Sequence, residues 1–162
     1  MVRGMHVLLC VREDDASLAP ALAAAWRAGA PSCDVRTVAL PDPPSHDAAE
    51  AGRAGVFVPL EALGLTSATG AEDGPLTGPA AESDLVVVHV PVLDGTTLRE
   101  GRVPAAVAAA APHAVPVVVL AGRSEVSRRE WSGAGVSGVH ETGADAVATT
   151  ARVARTWAPS WA

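Results

Sequence analysis

A chain of 162 residues, 49% hydrophobic and 19% charged, has the length of one domain and enough apolar content to bury a core without staples, which excludes a disordered chain. A net charge of -6 with a pI near 5.2 excludes the broad basic face of a general nucleic-acid binder, so no nucleic-acid partner is expected. The chain has no Lys, and all twelve basic residues are Arg, which excludes a P-loop lysine, a Schiff base and a lysine general base.

High Ala, Arg and Gly content without Lys fits a high-GC bacterial genome. Trp26, Phe57, Trp131, Trp157 and Trp161 are the only aromatics, so the core must be built from Val, Leu and Ala. Cys10 and Cys33 make neither a disulfide framework nor a zinc site, and Cys10, inside an apolar run, reads as a buried free thiol. No apolar h-region opens the chain, so no signal peptide is expected. No apolar run approaches the ~18 residues of a membrane span, so no membrane partner is expected and the cytoplasm is the expected compartment.

Met5–Val11 predicts a first strand, which runs into the charged corner Arg12-Glu13-Asp14-Asp15, read as solvated. Leu18, Leu22 and Trp26 share one face of a helix, with Pro20 in its first turn and Gly29 and Pro31 ending it. Val35–Leu40 predicts a second strand, completing a βαβ unit, and Pro41-Asp42-Pro43-Pro44 stops it. From Ser45 to Glu82 the signal is weak: a short helix at Ala48–Ala54, a short strand at Gly55–Val58, then a loop over Thr66–Ala81.

Leu85–Val90 and Val115–Leu120 are apolar β-branched runs without polar alternation, as strands buried on both faces require. Between them Pro104–Ala111 predicts a buried Ala/Val helix, and Gly122 is expected to close the second run. Ser127 and Glu130 have capping-box spacing before a short helix through Trp131, ended by Gly133 and Gly135. Val136–His140 predicts a short strand, and Thr142 and Asp145 a second cap-like pair. The last helix places Val147, Thr150, Ala154 and Trp157 on one face, and Pro159 stops it. This alternation predicts an α/β fold: a Rossmann-like, doubly wound, mostly parallel sheet with helices on both faces, three layers deep.

Val115–Arg123, V-P-V-V-V-L-A-G-R, resembles the "VPVVALAGR"-type segment of bacterial type-1 glycerate kinases. Asp84–Thr97 falls where that family has "ADLVITGEGRLDxQT", with Leu93-Asp94 and Thr97 matching. Gly101-Arg102-Val103-Pro104 is similar to the "GKxP" that follows, displaced by about one residue, and A-R-V-A-R-T-W to the family's C-terminal helix. The opening βαβ, with Ser17-Leu18 and the Trp26 helix, is similar to "APDSFKGSLSA…GW…PLADGGEGT". The resemblance spans roughly residues 5–42 and 80–157, the two chain ends that form one Rossmann-like domain in such kinases. It implies that the family's inserted second domain and its "GGSATNDGG" segment are missing, with Thr66–Ala81 the flexible loop at that place.

The departures set the functional expectation. Arg12 stands for the Asp of "PDSFKG" and Asp15 for its Lys, Asp42 alone survives of "DGGEG", and His89-Val90-Pro91 replaces "GEG". Phosphoryl transfer depends on positioning and charge stabilisation by a cation, metal and phosphate cradle, and prolines at 43, 44 and 91 remove N–H donors. The resemblance therefore implies a glycerate-kinase-like protein without phosphotransfer, with no catalytic residues, no metal and no cofactor, acting as a small-ligand-binding or interaction module. The alternative is a minimal kinase of glycerate or a related hydroxy acid, with ATP and Mg.

In an open parallel sheet, ligands bind beyond the carboxyl ends of the strands. Asp94, Thr96 and Thr97 are the foremost candidates there, against the reading that Asp-Gly with two threonines is a turn. His89 faces a cleft or packs inside. Arg123 holds an anion or pairs with Glu125 or Glu130. Asp42, with His46 and Asp47, is a weak polar cluster among prolines. No G-x-G-x-x-G follows a strand, and Ser127 lies in no nucleophile elbow. A small organic acid is the expected ligand class. Trp157 either docks into the core or presents a homodimer surface.

Overall fold

A computed structural model of the chain describes residues 4–41 and 74–158. Five strands, β1 (His6–Arg12), β2 (Asp34–Leu40), β3 (Leu85–Leu93), β4 (Val117–Ser124) and β5 (Gly138–Glu141), form one sheet in the order β2-β1-β3-β4-β5. All four pairings are parallel. The helices are α1 (Ala19–Gly29), α2 (Thr77–Ala81), α3 (Arg102–Ala110), α4 (Arg128–Gly133) and α5 (Ala146–Trp157). This is the expected three-layer α/β arrangement, in the doubly wound order whose direction of winding reverses between β1 and β3.

Strand alternation sorts the core into two halves. Leu8, Cys10, Val86, Val88, Val90, Val117, Val119 and Ala121 face α2 and α3, packing on Ala80, Val103, Ala106 and Ala110. Val7, Leu9, Val11, Leu85, Val87, Val118 and Leu120 face Leu22, Ala23 and Trp26 of α1 and Val153 and Ala154 of α5. Trp26 is fully buried, as its place on the apolar stripe of α1 requires.

The strands reach further than the apolar runs. β3 continues through Pro91 to Leu93, and β4 runs through Gly122 to Ser124, so Gly122 does not close it. Gly122 instead admits the neighbouring strand: a Cβ there would stand 2.4 Å from the Pro91 carbonyl oxygen. Pro91 lacks an N–H, and its position opposite Gly122 is skipped in the β3–β4 register. The β1–β3 ladder has already ended there, at Cys10–Val88, and β3 tolerates proline as an edge would.

Other expectations are corrected. The corner after β1 is a 3-10 helix over Glu13–Leu18. Residues 77–81 of the expected loop form α2; the rest of that loop, and the helix and strand expected at 48–58, lie outside the described residues. Asp145 caps α5 by accepting from Ala148 N, but Thr142 is buried and bonds Ala121 O instead of capping. Of the face expected on α5, Thr150 and Ala154 are fully buried and Trp157 packs against the core, with Thr149 and Val153 buried beside them, but Val147 is 43% exposed. Ser127 and Glu130 do form a reciprocal capping box at α4.

Candidate functional site

The ladders of the sheet do not end together at its carboxyl edge. β1 stays with β2 as far as Arg12–Leu40, and β3 stays with β4 as far as Leu93–Ser124. Between them the β1–β3 ladder stops at Cys10–Val88. Beyond those residues β1 continues with β2 and β3 with β4 but not with each other, and the break falls between the Arg12 end of β1 and His89. This is the switch point at which open α/β sheets bind ligands.

His89 is the first residue of β3 past the ladder. Its side chain is buried, with only 7% of the residue exposed, and its Nδ1 has no hydrogen-bond partner among the described residues. Buried imidazole nitrogens are ordinarily bonded, so an open one beside the break between β1 and β3 makes His89 the foremost candidate for a ligand contact. Burial depresses the His89 pKa; Asp15 acts against this, while Arg102 and Arg12 reinforce it. The imidazole is thus held neutral, one nitrogen a donor and the other an acceptor. Arg12 Nη2 bonds Asp15 Oδ1 at 3.1 Å, and both side chains are partly buried rather than solvated. Arg102 opens α3 and is buried, with Gly101 before it at φ 85°, a conformation that favours glycine.

The other candidates separate from this break. Asp94 Oδ1 accepts the N–H groups of Thr97 at 2.7 Å and Thr96 at 3.0 Å. The Thr97 backbone bond is the first cause of the lowered Asp94 pKa. All three residues thereby form one capped turn, closed by Leu98 N bonding Asp94 O. Arg123 is exposed and pairs with Glu125. Asp42 lies outside the described residues, as do His46 and Asp47. Among the described residues no group of three or more His, Cys, Asp or Glu converges as a metal would require. Burial pushes the Cys10 thiol up to about 12 and raises Cys33, so neither is a thiolate at neutral pH.

The sequence missed Arg12, Asp15 and Arg102 as neighbours of His89. The signal was their placement: Arg12 and Asp15 flank the end of one strand, and Arg102 opens the helix after the next. Only the strand order makes those two ends adjacent.

Cavities also lie elsewhere among the described residues. One of about 510 Å³ sits at the amino edge, lined by His6, Asp34, Arg36, Glu82 and Ser83 among others. Its polar side chains already lie against one another, His6 Nδ1 3.7 Å from Asp34 and Arg36 paired with Glu82 at 3.5 Å. Another, about 170 Å³, is an apolar cleft between Leu76 and the Ala105–Ala109 face of α3. At the far edge of the sheet, Trp157 packs within its own chain against His140 of β5. No helix among the described residues is long and apolar enough to cross a membrane. No family model matches the chain, and no curated protein is similar to it.

Proposed function

We propose that the chain is a compact relative of the type-1 glycerate kinases that binds a small organic acid at the β1–β3 break and transfers no phosphate. The observation that carries this reading is the buried, unbonded Nδ1 of His89 at the switch point, beside Arg102 and the Arg12–Asp15 pair. A neutral imidazole can meet a ligand hydroxyl, and guanidinium groups suit a carboxylate. The same wall is poorly equipped for phosphoryl transfer. The chain has no lysine, Pro91 offers no N–H, and the Asp94 carboxylate is already spent on Thr96 and Thr97.

Thermal shift with glycerate, lactate and ATP–Mg, together with coupled ADP release, tests this. A ligand at one hundred times its Kd stabilises by about 2.7 kcal/mol, a rise in Tm that is easily read. An organic acid should raise Tm in the wild type and not in His89→Ala, ATP–Mg should leave it unchanged, and no ADP should form. ADP release with a hydroxy acid, lost in Asp94→Ala, would replace this reading with the minimal kinase. If no acid shifts Tm, the break is not an acid site.

A further inference from the structure

The last turn of α5 is fastened to the edge strand by a contact between two rings. Trp157 Nε1 donates to His140 Nε2 at 2.9 Å. The rings meet edge-on, with centroids 6.4 Å apart and planes at 88°. Gly138, two residues before His140 and on the same face of β5, provides the slot: a Cβ there would stand 2.6 Å from Trp157 Cζ2. The indole is thus held by a notch and an acceptor on one short strand, which among the described residues is paired only with β4.

The chemistry of this contact admits one protonation state. An indole N–H only donates, so His140 must present a lone pair at Nε2, with its proton on Nδ1. Imidazolium carries N–H on both nitrogens and would set two donors against each other. We propose that His140 and Trp157 form a pH-gated clasp: neutral His140 holds the C-terminal turn of α5 on β5, and protonation of His140 releases it.

The surroundings keep the clasp closed at neutral pH. Burial lowers the His140 pKa first, and Arg152 of α5 lowers it further. Glu141, the neighbouring acid on β5, is turned to Ser124 N at 2.7 Å. Leu120, opposite His140 on β4, carries no charge. With the folded pKa depressed below the unfolded value near 6.5, the clasp's stabilisation is full above that value. It fades as pH falls through the lowered folded pKa. Release uncovers the Gly138 notch on an edge strand while Thr150, Val153 and Ala154 keep the rest of α5 in the core.

The test is a titration of 15N-labelled protein from pH 8 to 5, following the Trp157 indole N–H, assigned by its absence in Trp157→Phe. Above pH 7 that proton should exchange slowly and resonate as hydrogen-bonded, with the His140 ring in its Nδ1–H form. Its protection should fall at least tenfold with the midpoint of His140 itself, while the Trp26 indole is unmoved. His140→Gln, whose amide oxygen accepts at any pH, should keep the proton protected throughout. A Trp157 indole that stays unchanged while the His140 ring itself titrates, or His140 in the Nε2–H form at pH 8, would overturn the clasp. A pH midpoint that persists in His140→Gln would overturn it as well.

Discussion

Asp94 illustrates how a residue type in a suggestive place can be absorbed by local structure. Its sequence setting, Leu93-Asp94 with Thr97 three residues on, resembles a kinase motif. The carboxylate is taken up by two backbone N–H groups of its own turn, the interaction for which Asp is favoured before helical turns. Asp94→Ala should therefore cost about 1 kcal/mol in urea unfolding, and Asp94→Asn only part of that. The sign with pH follows from the lowered pKa. The carboxylate's contribution is present above its unfolded pKa and is lost as pH falls through the lower folded one, so wild type and Asp94→Ala should converge in acid. If Asp94→Ala leaves stability untouched but abolishes the organic-acid thermal shift, Asp94 is a ligand residue and not a turn staple. His89 is the contrasting case. Nothing in its sequence neighbourhood distinguishes a packed histidine from a cleft histidine; burial with an open Nδ1 does.

Elements were legible wherever burial on both faces wrote a continuous apolar run. β1, β3 and β4 belong to that class, and so does the stripe of α1 through Leu22 and Trp26. Element ends were less so, because pairing with a neighbouring strand decides them. β3 passes Pro91 because β4 still accompanies it and β1 does not. Glycines show the same limit. Gly29 reads as a helix terminator, and it is the last residue of α1, yet its φ is not positive. Its reason is tertiary: a Cβ would stand 2.1 Å from Ala151 O and 2.9 Å from Ala154 Cβ, where α5 crosses α1 backbone to backbone. Neither contact partner has a flexible end to move aside. Gly29→Ala should therefore force the helices apart and cost about 1–3 kcal/mol. Gly78→Ala in α2 meets nothing within 4 Å and should be neutral or stabilise by about 0.4–1 kcal/mol. Urea midpoints of the two variants check this, and equal midpoints would show that α1 and α5 are not in close contact.

At the scale of the molecule, the sheet is a gradient of burial. Residues Leu85–Val90 of β3 are all buried, and β3 is flanked on both sides by strands whose apolar residues are themselves nearly inaccessible. β5 is four residues long, has one neighbour among the described residues and is only partly buried. β2 is the other edge among the described residues, with Asp34, Arg36, Thr37 and Ala39 exposed. Opening the centre must break both core halves and two ladders at once, whereas opening an edge breaks one ladder and little packing. Amide hydrogen exchange should follow this order. Val86–Val88 and Val118–Leu120 should exchange only through global unfolding, with a denaturant dependence equal to that of the whole protein. The β5 amides and those of the short helices α2 and α4 should exchange earlier, through local openings that denaturant hardly affects. If the clasp at Trp157 operates, β5 should become less protected still below the His140 pKa, while the β3 amides keep their protection after correction for the intrinsic rate. Exchange of β3 and β5 through one common opening, with the same denaturant slope, would show instead that the sheet unfolds as a single unit and that its edge has no independent freedom.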